Sequence, residues 1–150
     1  MNKLVSESLY EFQRGQEPKE TLKIGGEYEK VKSWLSRFLY KSQWNLNEDW
    51  TIDIVKGDLI ITGENIKEFP EFINFNEAHR DFLISGVSLE IMTGFPKIVQ
   101  GDFVVSNNKL QILTGCPEYV GGDFQIEYNP GGFTEKQIRD ICEVKGKVYL

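Results

Sequence analysis

Apolar and polar positions repeat along this chain with a fixed period. Four times an aspartate precedes an apolar–x–apolar triplet: Asp58 with Leu59 and Ile61, Asp81 with Phe82 and Ile84, Asp102 with Phe103 and Val105, and Asp123 with Phe124 and Ile126. The aspartates are 23, 21 and 21 residues apart. Residues 80–100 and 101–121 match at about half their positions, including Asp-Phe at the start and Thr-Gly-x-Pro later in the unit. Alternate side chains of each triplet face one way, as in a β-strand with one buried side. One such strand cannot bury that side by itself. Strands of successive units, stacked about 4.8 Å apart, can bury it together.

Further along each unit a second apolar position recurs as Ile66, Leu89 and Leu110, and Asn108 and Asn129 stand at the turn. An asparagine there can bond backbone groups as the chain leaves the strand. Glu64 and Val87 hold this place in the two earlier units. Gly94-Phe-Pro96 and Gly115-Cys-Pro117 punctuate the return path, where proline fixes its own backbone angle. The expected architecture is an α/β, leucine-rich-repeat-like short solenoid of stacked parallel strands near 58–62, 81–85, 102–106 and 123–127. An antiparallel sandwich or meander of the same strands is the alternative.

The flanks carry a different period. Tyr28, Val31, Trp34, Leu35, Phe38 and Leu39 follow helical spacing over 27–41, and Trp50–Val55 alternates like a strand. Residues 26–56 thus read as an N-terminal helical cap, which a solenoid needs because its ends expose core. Thr134 reads as the N-cap of a helix reaching Cys142. Residues 143–150 read as a closing strand, which completes a helix–strand cap at the C-terminal end. Residues 3–14 can form a further helix with Leu4, Val5, Leu9 and Phe12 on one side. The domain expectation is a leader or tether at 1–25 and a capped repeat domain at 26–150.

Composition narrows the function classes. The 150 residues are 40% hydrophobic and 27% charged, ordinary for a globular chain. No apolar run is long enough for a membrane helix, and the N-terminus lacks the pattern of a secretory signal. The net charge of −6 falls entirely within residues 57–150, which hold eight basic and fourteen acidic side chains. Phosphate backbones are bound by Lys and Arg, so neither nucleic acid nor an acidic membrane is expected as a partner.

Candidate chemistry is sparse. His79 is the one histidine and has no second base or nucleophile beside it. Cys116 occupies the place of Phe95 in the preceding unit, which marks an apolar packing position; Cys142 falls near the apolar side of the last helix. Asp58, Asp81, Asp102 and Asp123 form a ladder. A calcium site needs clustered acidic loops, which are missing here, so these aspartates read as strand-opening residues bonded to nearby backbone. No catalytic residue, metal or cofactor is expected. A small hydrolase using Asp81, Asp102 or Asp123 is the enzymatic alternative, and a self-associating structural protein is another.

The outward positions of the repeat strands are Ile60, Leu83, Val104 and Gln125, flanked by Thr62, Ser85, Ser106 and Glu127. Stacked aliphatics on a solvent face mark an interaction surface, unless a cap such as 3–14 covers them or they are ordinary exposed strand formers. The expected partner-binding set is Ile60, Leu83, Val104, Gln125, Ser85, Ser106, Asp81 and Asp102, with the aspartates forming an acidic rim suited to a basic or mixed protein partner.

The run from Ser106 through Asn-Asn-Lys-Leu-Gln-Ile-Leu-Thr-Gly-Cys-Pro-Glu-Tyr-Val-Gly-Gly-Asp to Phe124 resembles units of leucine-rich-repeat-like proteins encoded by tailed bacteriophages. Asp53–Ile61, Phe69–Phe75, Phe133–Ile138 and Val144–Tyr149 are similar to segments that flank such units. The resemblance spans about residues 26–150. Glu7–Lys19 with Ile24-Gly25 resembles a leader found on otherwise unrelated phage proteins. The second unit departs from the pattern, with Gly86-Val87 in place of the asparagines and Phe95 in place of the cysteine. The resemblance implies a repeat fold and a phage protein in the virion or the host cytoplasm, and it implies no catalytic residues.

Overall fold

A computed structural model describes residues 26–150. The helix and leader expected within residues 1–25 lie outside the described residues. The fold is a β-solenoid capped by helices, with parallel strands stacked coil on coil. Helix α1 spans Glu27–Leu35 and α2 spans Glu135–Ile141. The strands are β1 (Trp44–Leu46), β2 (Ile52–Ile54), β3 (Leu59–Ile61), β4 (Phe75–Ala78), β5 (Phe82–Ile84), β6 (Ile98–Val99), β7 (Phe103–Val104), β8 (Tyr119–Val120), β9 (Phe124–Gln125), β10 (Glu143–Val144) and β11 (Val148–Tyr149).

One strand per unit is expected from the sequence; each coil has two. The repeat strands β3, β5, β7, β9 and β11 form a five-stranded parallel sheet in that spatial order. The second sheet runs β1-β2-β4-β6-β8-β10, parallel throughout except for the antiparallel pair β1–β2. The stretch 143–150 is therefore a fifth strand pair and not one closing strand. The antiparallel alternative is excluded by this pairing.

The inward residues meet between the two sheets. Leu59, Ile61, Phe82, Ile84, Phe103, Val105, Phe124 and Ile126 are all buried, as are Ile66, Leu89 and Leu110 on the third side of the coil. Registers place Phe82 opposite Phe103 and Phe103 opposite Phe124. The rings of Phe82 and Phe103 stack with centroids 6.1 Å apart, and those of Phe103 and Phe124 lie 5.0 Å apart. Like residues thus form columns, which is the geometry that the repeat period demands.

At the N-terminal end α1 lays Tyr28, Val31 and Leu35 on the core, and Trp34 meets the edge of Phe69 at 5.2 Å. The helix is shorter than its apolar period suggests. Beyond Leu35 the chain tightens, with the amides of Arg37 and Phe38 bonding the carbonyls three residues back. This turn still buries Leu39, so the apolar spacing persists where the helix does not. At the other end the Thr134 hydroxyl accepts the Gln137 amide, and the Gln137 side chain accepts the Thr134 amide. This reciprocal cap fixes the start of α2.

Candidate functional site: the outward face of the five-stranded sheet

Three side-chain ladders tie the coils together, and they decide which residues remain for a partner. The first is the aspartate ladder. Asp58 Oδ1 accepts the backbone N–H of Asp81 at 2.9 Å, Asp81 that of Asp102 at 2.8 Å, and Asp102 that of Asp123 at 2.8 Å. Asp123 Oδ1 accepts the N–H of Lys147 at 2.8 Å. Each carboxylate therefore closes the corner of the next coil, as the strand-opening reading anticipates. The glycine before these corners makes room for it. A Cβ at Gly101, Gly122 or Gly146 would lie 2.2–2.3 Å from the aspartate oxygen of the preceding coil.

The second ladder is the asparagine pair. Asn108 is buried, and its Oδ1 accepts the amides of Val87 and Leu89 in the preceding coil while its Nδ2 donates to the carbonyls of Ile84, Val105 and Ser106. Asn129 repeats this with Leu110, Val105, Ile126 and Glu127. The residue before this turn position is left-handed in four coils: Gly63, Gly86, Asn107 and Tyr128 have φ between 58° and 70°. Glycine and asparagine adopt that conformation most easily.

The third ladder involves the hydroxyls. Ser85 Oγ donates to the Ser106 carbonyl at 3.0 Å, and Ser106 Oγ donates to Glu127 Oε1 at 2.7 Å. Ser106 is only 7% exposed. Of the eight expected partner-binding residues it presents almost no surface, because Glu127 and the next coil cover it. Asp81 and Asp102 are half-buried, each with one oxygen engaged by backbone.

The remaining candidates stand together. Ile60 pairs with Leu83, Leu83 with Val104, and Val104 with Gln125, in register across four strands. Ile60 is 54% exposed, and Leu83, Val104 and Gln125 are half-buried. Tyr149 pairs with Gln125 and extends the column; it is 39% exposed. Sequence reading missed Tyr149 because Lys147 replaces the marker aspartate and α2 lengthens the last coil. Five rungs at about 4.8 Å give a stripe roughly 19 Å tall, bordered by the aspartate column on one side and by Ser85 and Glu127 on the other. On the second sheet the outward column is Asp53, Glu77, Ile98, Tyr119 and Glu143, which is more polar.

His79 is exposed, with Nε2 3.7 Å from Glu77 Oε2. Among the described residues no three His, Cys, Asp or Glu side chains gather as a metal ion would need, and no helix is long and apolar enough to cross a membrane. Cys116 packs half-buried against the core and Cys142 is buried. Burial pushes the Cys116 thiol from 9.0 up to about 11. Cys142 is pushed up to about 12, first by burial and then by Cys116 and Glu143, with Arg139 opposing. Thiolate is the reactive form, so iodoacetamide should label the folded chain near neutral pH far more slowly than the urea-unfolded chain. The raised values also set a sign. The stability that the protonated thiols contribute is complete below pH 9.0 and is lost as the pH rises through about 11 for Cys116 and about 12 for Cys142. A urea midpoint that falls over this alkaline window, and falls less when both cysteines are alanine, checks it.

No known protein family, no curated protein and no solved structure matches this chain.

Proposed function

We propose that the chain is a non-enzymatic protein-interaction module of a bacteriophage, and that it docks a basic segment of a partner protein on the outward face of the five-stranded sheet. The observation that carries this reading is the in-register column of Ile60, Leu83 and Val104 on a face that the core does not use. The column is narrow, so it suits a single helix or extended segment better than a broad globular surface. A stable globular pair buries about 800 Å² per partner, more than a single column of side chains presents. Asp58, Asp81, Asp102 and Asp123 along one border favour Lys and Arg on the partner. The bacteriophage origin, and a place in the virion or the host cytoplasm, are supported by the resemblance of the Ser106–Phe124 unit. A hydrolytic role for the aspartates is disfavoured, since the Oδ1 of each is held by a backbone N–H of the neighbouring coil.

The test is Leu83→Lys with Val104→Lys. Both side chains are half-buried strand residues, and lysine can lie along the sheet with its ammonium in water. Each change should cost no more than about 1 kcal/mol. Tagged full-length chain is used to capture proteins from phage-infected cells, with the double variant alongside. A protein held by the parent and lost by a variant that still unfolds cooperatively, with a melting temperature lowered by no more than about 10 °C, is the expected result. A variant that retains every captured protein contradicts the docking face. A mass spectrum of purified particles then separates the virion role from the host-directed one.

A further inference from the structure

The stack of coils has a built end. In the second sheet the carbonyls of Ile54, Ala78, Val99 and Val120 form one column, and each accepts an amide of the next coil: His79, Gln100, Gly121 and Lys145, at 2.8–3.0 Å. Val144 is the next member of that column, being paired with Val120. At the corner the carbonyls of Arg80, Gly101 and Gly122 accept the amides of Gly101, Gly122 and Gly146, and Gly146 is next in that series. A sixth coil would bond to the carbonyls of Val144 and Gly146. Both are already taken by one side chain. Arg139 Nη1 donates to the Val144 carbonyl at 2.8 Å, and Nη2 donates to the Gly146 carbonyl at 2.9 Å. Its Nε donates to Glu135 Oε2 at 2.8 Å, which holds the fork in place on α2.

The aspartate ladder stops at the same level. Each aspartate accepts the corner amide of the following coil, but the residue at that place in the last coil is Lys147. An ammonium cannot accept an N–H. Three successive inter-coil contacts are therefore closed or reversed at one end of the molecule.

We infer that Arg139 terminates the stack: its guanidinium imitates the two amides of a missing coil, and together with Lys147 it prevents the terminal strand edge from pairing with a second copy of this chain. Open strand edges template pairing with other chains, and charged side chains blunt them. The planar fork of arginine offers two donors at fixed spacing, which lysine does not. At the opposite end of the same sheet the antiparallel strand β1 stands at the edge, beyond β2.

The experiment is sedimentation velocity of the full chain over a wide concentration range. The variants are Arg139→Ala, Arg139→Ala with Lys147→Asp, and Lys136→Ala as a control that removes a neighbouring ion pair of α2. The double variant should gain mass with concentration, at least doubling its weight-average mass relative to the parent at the highest concentration, with a far-ultraviolet spectrum that remains β-rich. The control should sediment as the parent does. A folded double variant that matches the parent at every concentration overturns the inference, and so does one that only melts earlier. Should the double variant not fold, Arg139→Lys with Lys147→Asp replaces it. That chain keeps the stem and charge but loses the fork, and its failure to associate more than the parent would overturn the inference equally. Loss of partner capture by the Leu83 and Val104 changes is read separately, so the terminator and the docking face fail independently.

Discussion

Replacing Phe103 by alanine should lower the stability of the fold by about 3–5 kcal/mol, the range for a deleted buried aromatic. Phe103 is fully buried and stands in the middle of its column, in ring contact with Phe82, Phe124 and Phe95. The truncation leaves a cavity bounded by strands above and below. These strands are held by the aspartate and asparagine ladders and cannot close on it. Chemical denaturation at fixed temperature measures the loss. Phe103→Leu should recover part of it, because an isobutyl group fills part of the space. A loss below about 1 kcal/mol would be the size of a surface change and would place the ring outside the core.

The second large effect is expected at Asn108. It makes five hydrogen bonds to backbone groups of two coils from a nearly enclosed position. Asn108→Ala strands two amides and at least one carbonyl, and buried groups left without partners cost about 1–3 kcal/mol each. Partial access of water to the vacated space reduces the total, so about 2–4 kcal/mol is expected. Asn108→Asp is the sharper comparison. It keeps the shape but replaces a donor that faces three carbonyl oxygens with a carboxylate oxygen. It should be at least as destabilising as alanine near neutral pH and less so in acid, where the carboxyl carries a proton. An aspartate variant as stable as the parent at neutral pH would show that the turn does not depend on this amide.

Much of this architecture is written in the spacing of residues. The 21-residue period, the inward Phe82, Phe103 and Phe124, the turn asparagines and the Thr134 cap all follow from short-range rules, and each stands where those rules place it. Of the second sheet only β2 was legible, within Trp50–Val55. Strands β6, β8 and β10 are two residues long, too short for alternation to register, and they form because the neighbouring coil supplies their hydrogen bonds. β1 left a faint signal in Trp44-Asn-Leu46, whose ends are buried and whose centre is exposed. For the docking face, Ile60, Leu83, Val104 and Gln125 were readable as one column because strand alternation fixes them. Ser106 was not readable as buried, since its cover comes from Glu127 one coil later. Arg139 gave no sign in the sequence: its role depends on two carbonyls, five and seven residues downstream, that α2 brings within reach.

The columns are the premise of the core, the docking face and the terminator alike. Aromatic-proton nuclear Overhauser effects in the full-length chain test them most directly. The account predicts cross-peaks between the rings of Phe82 and Phe103 and between those of Phe103 and Phe124, with none between Phe82 and Phe124, which lie two rungs apart. Absence of the neighbouring cross-peaks, or a direct one between Phe82 and Phe124, would contradict it.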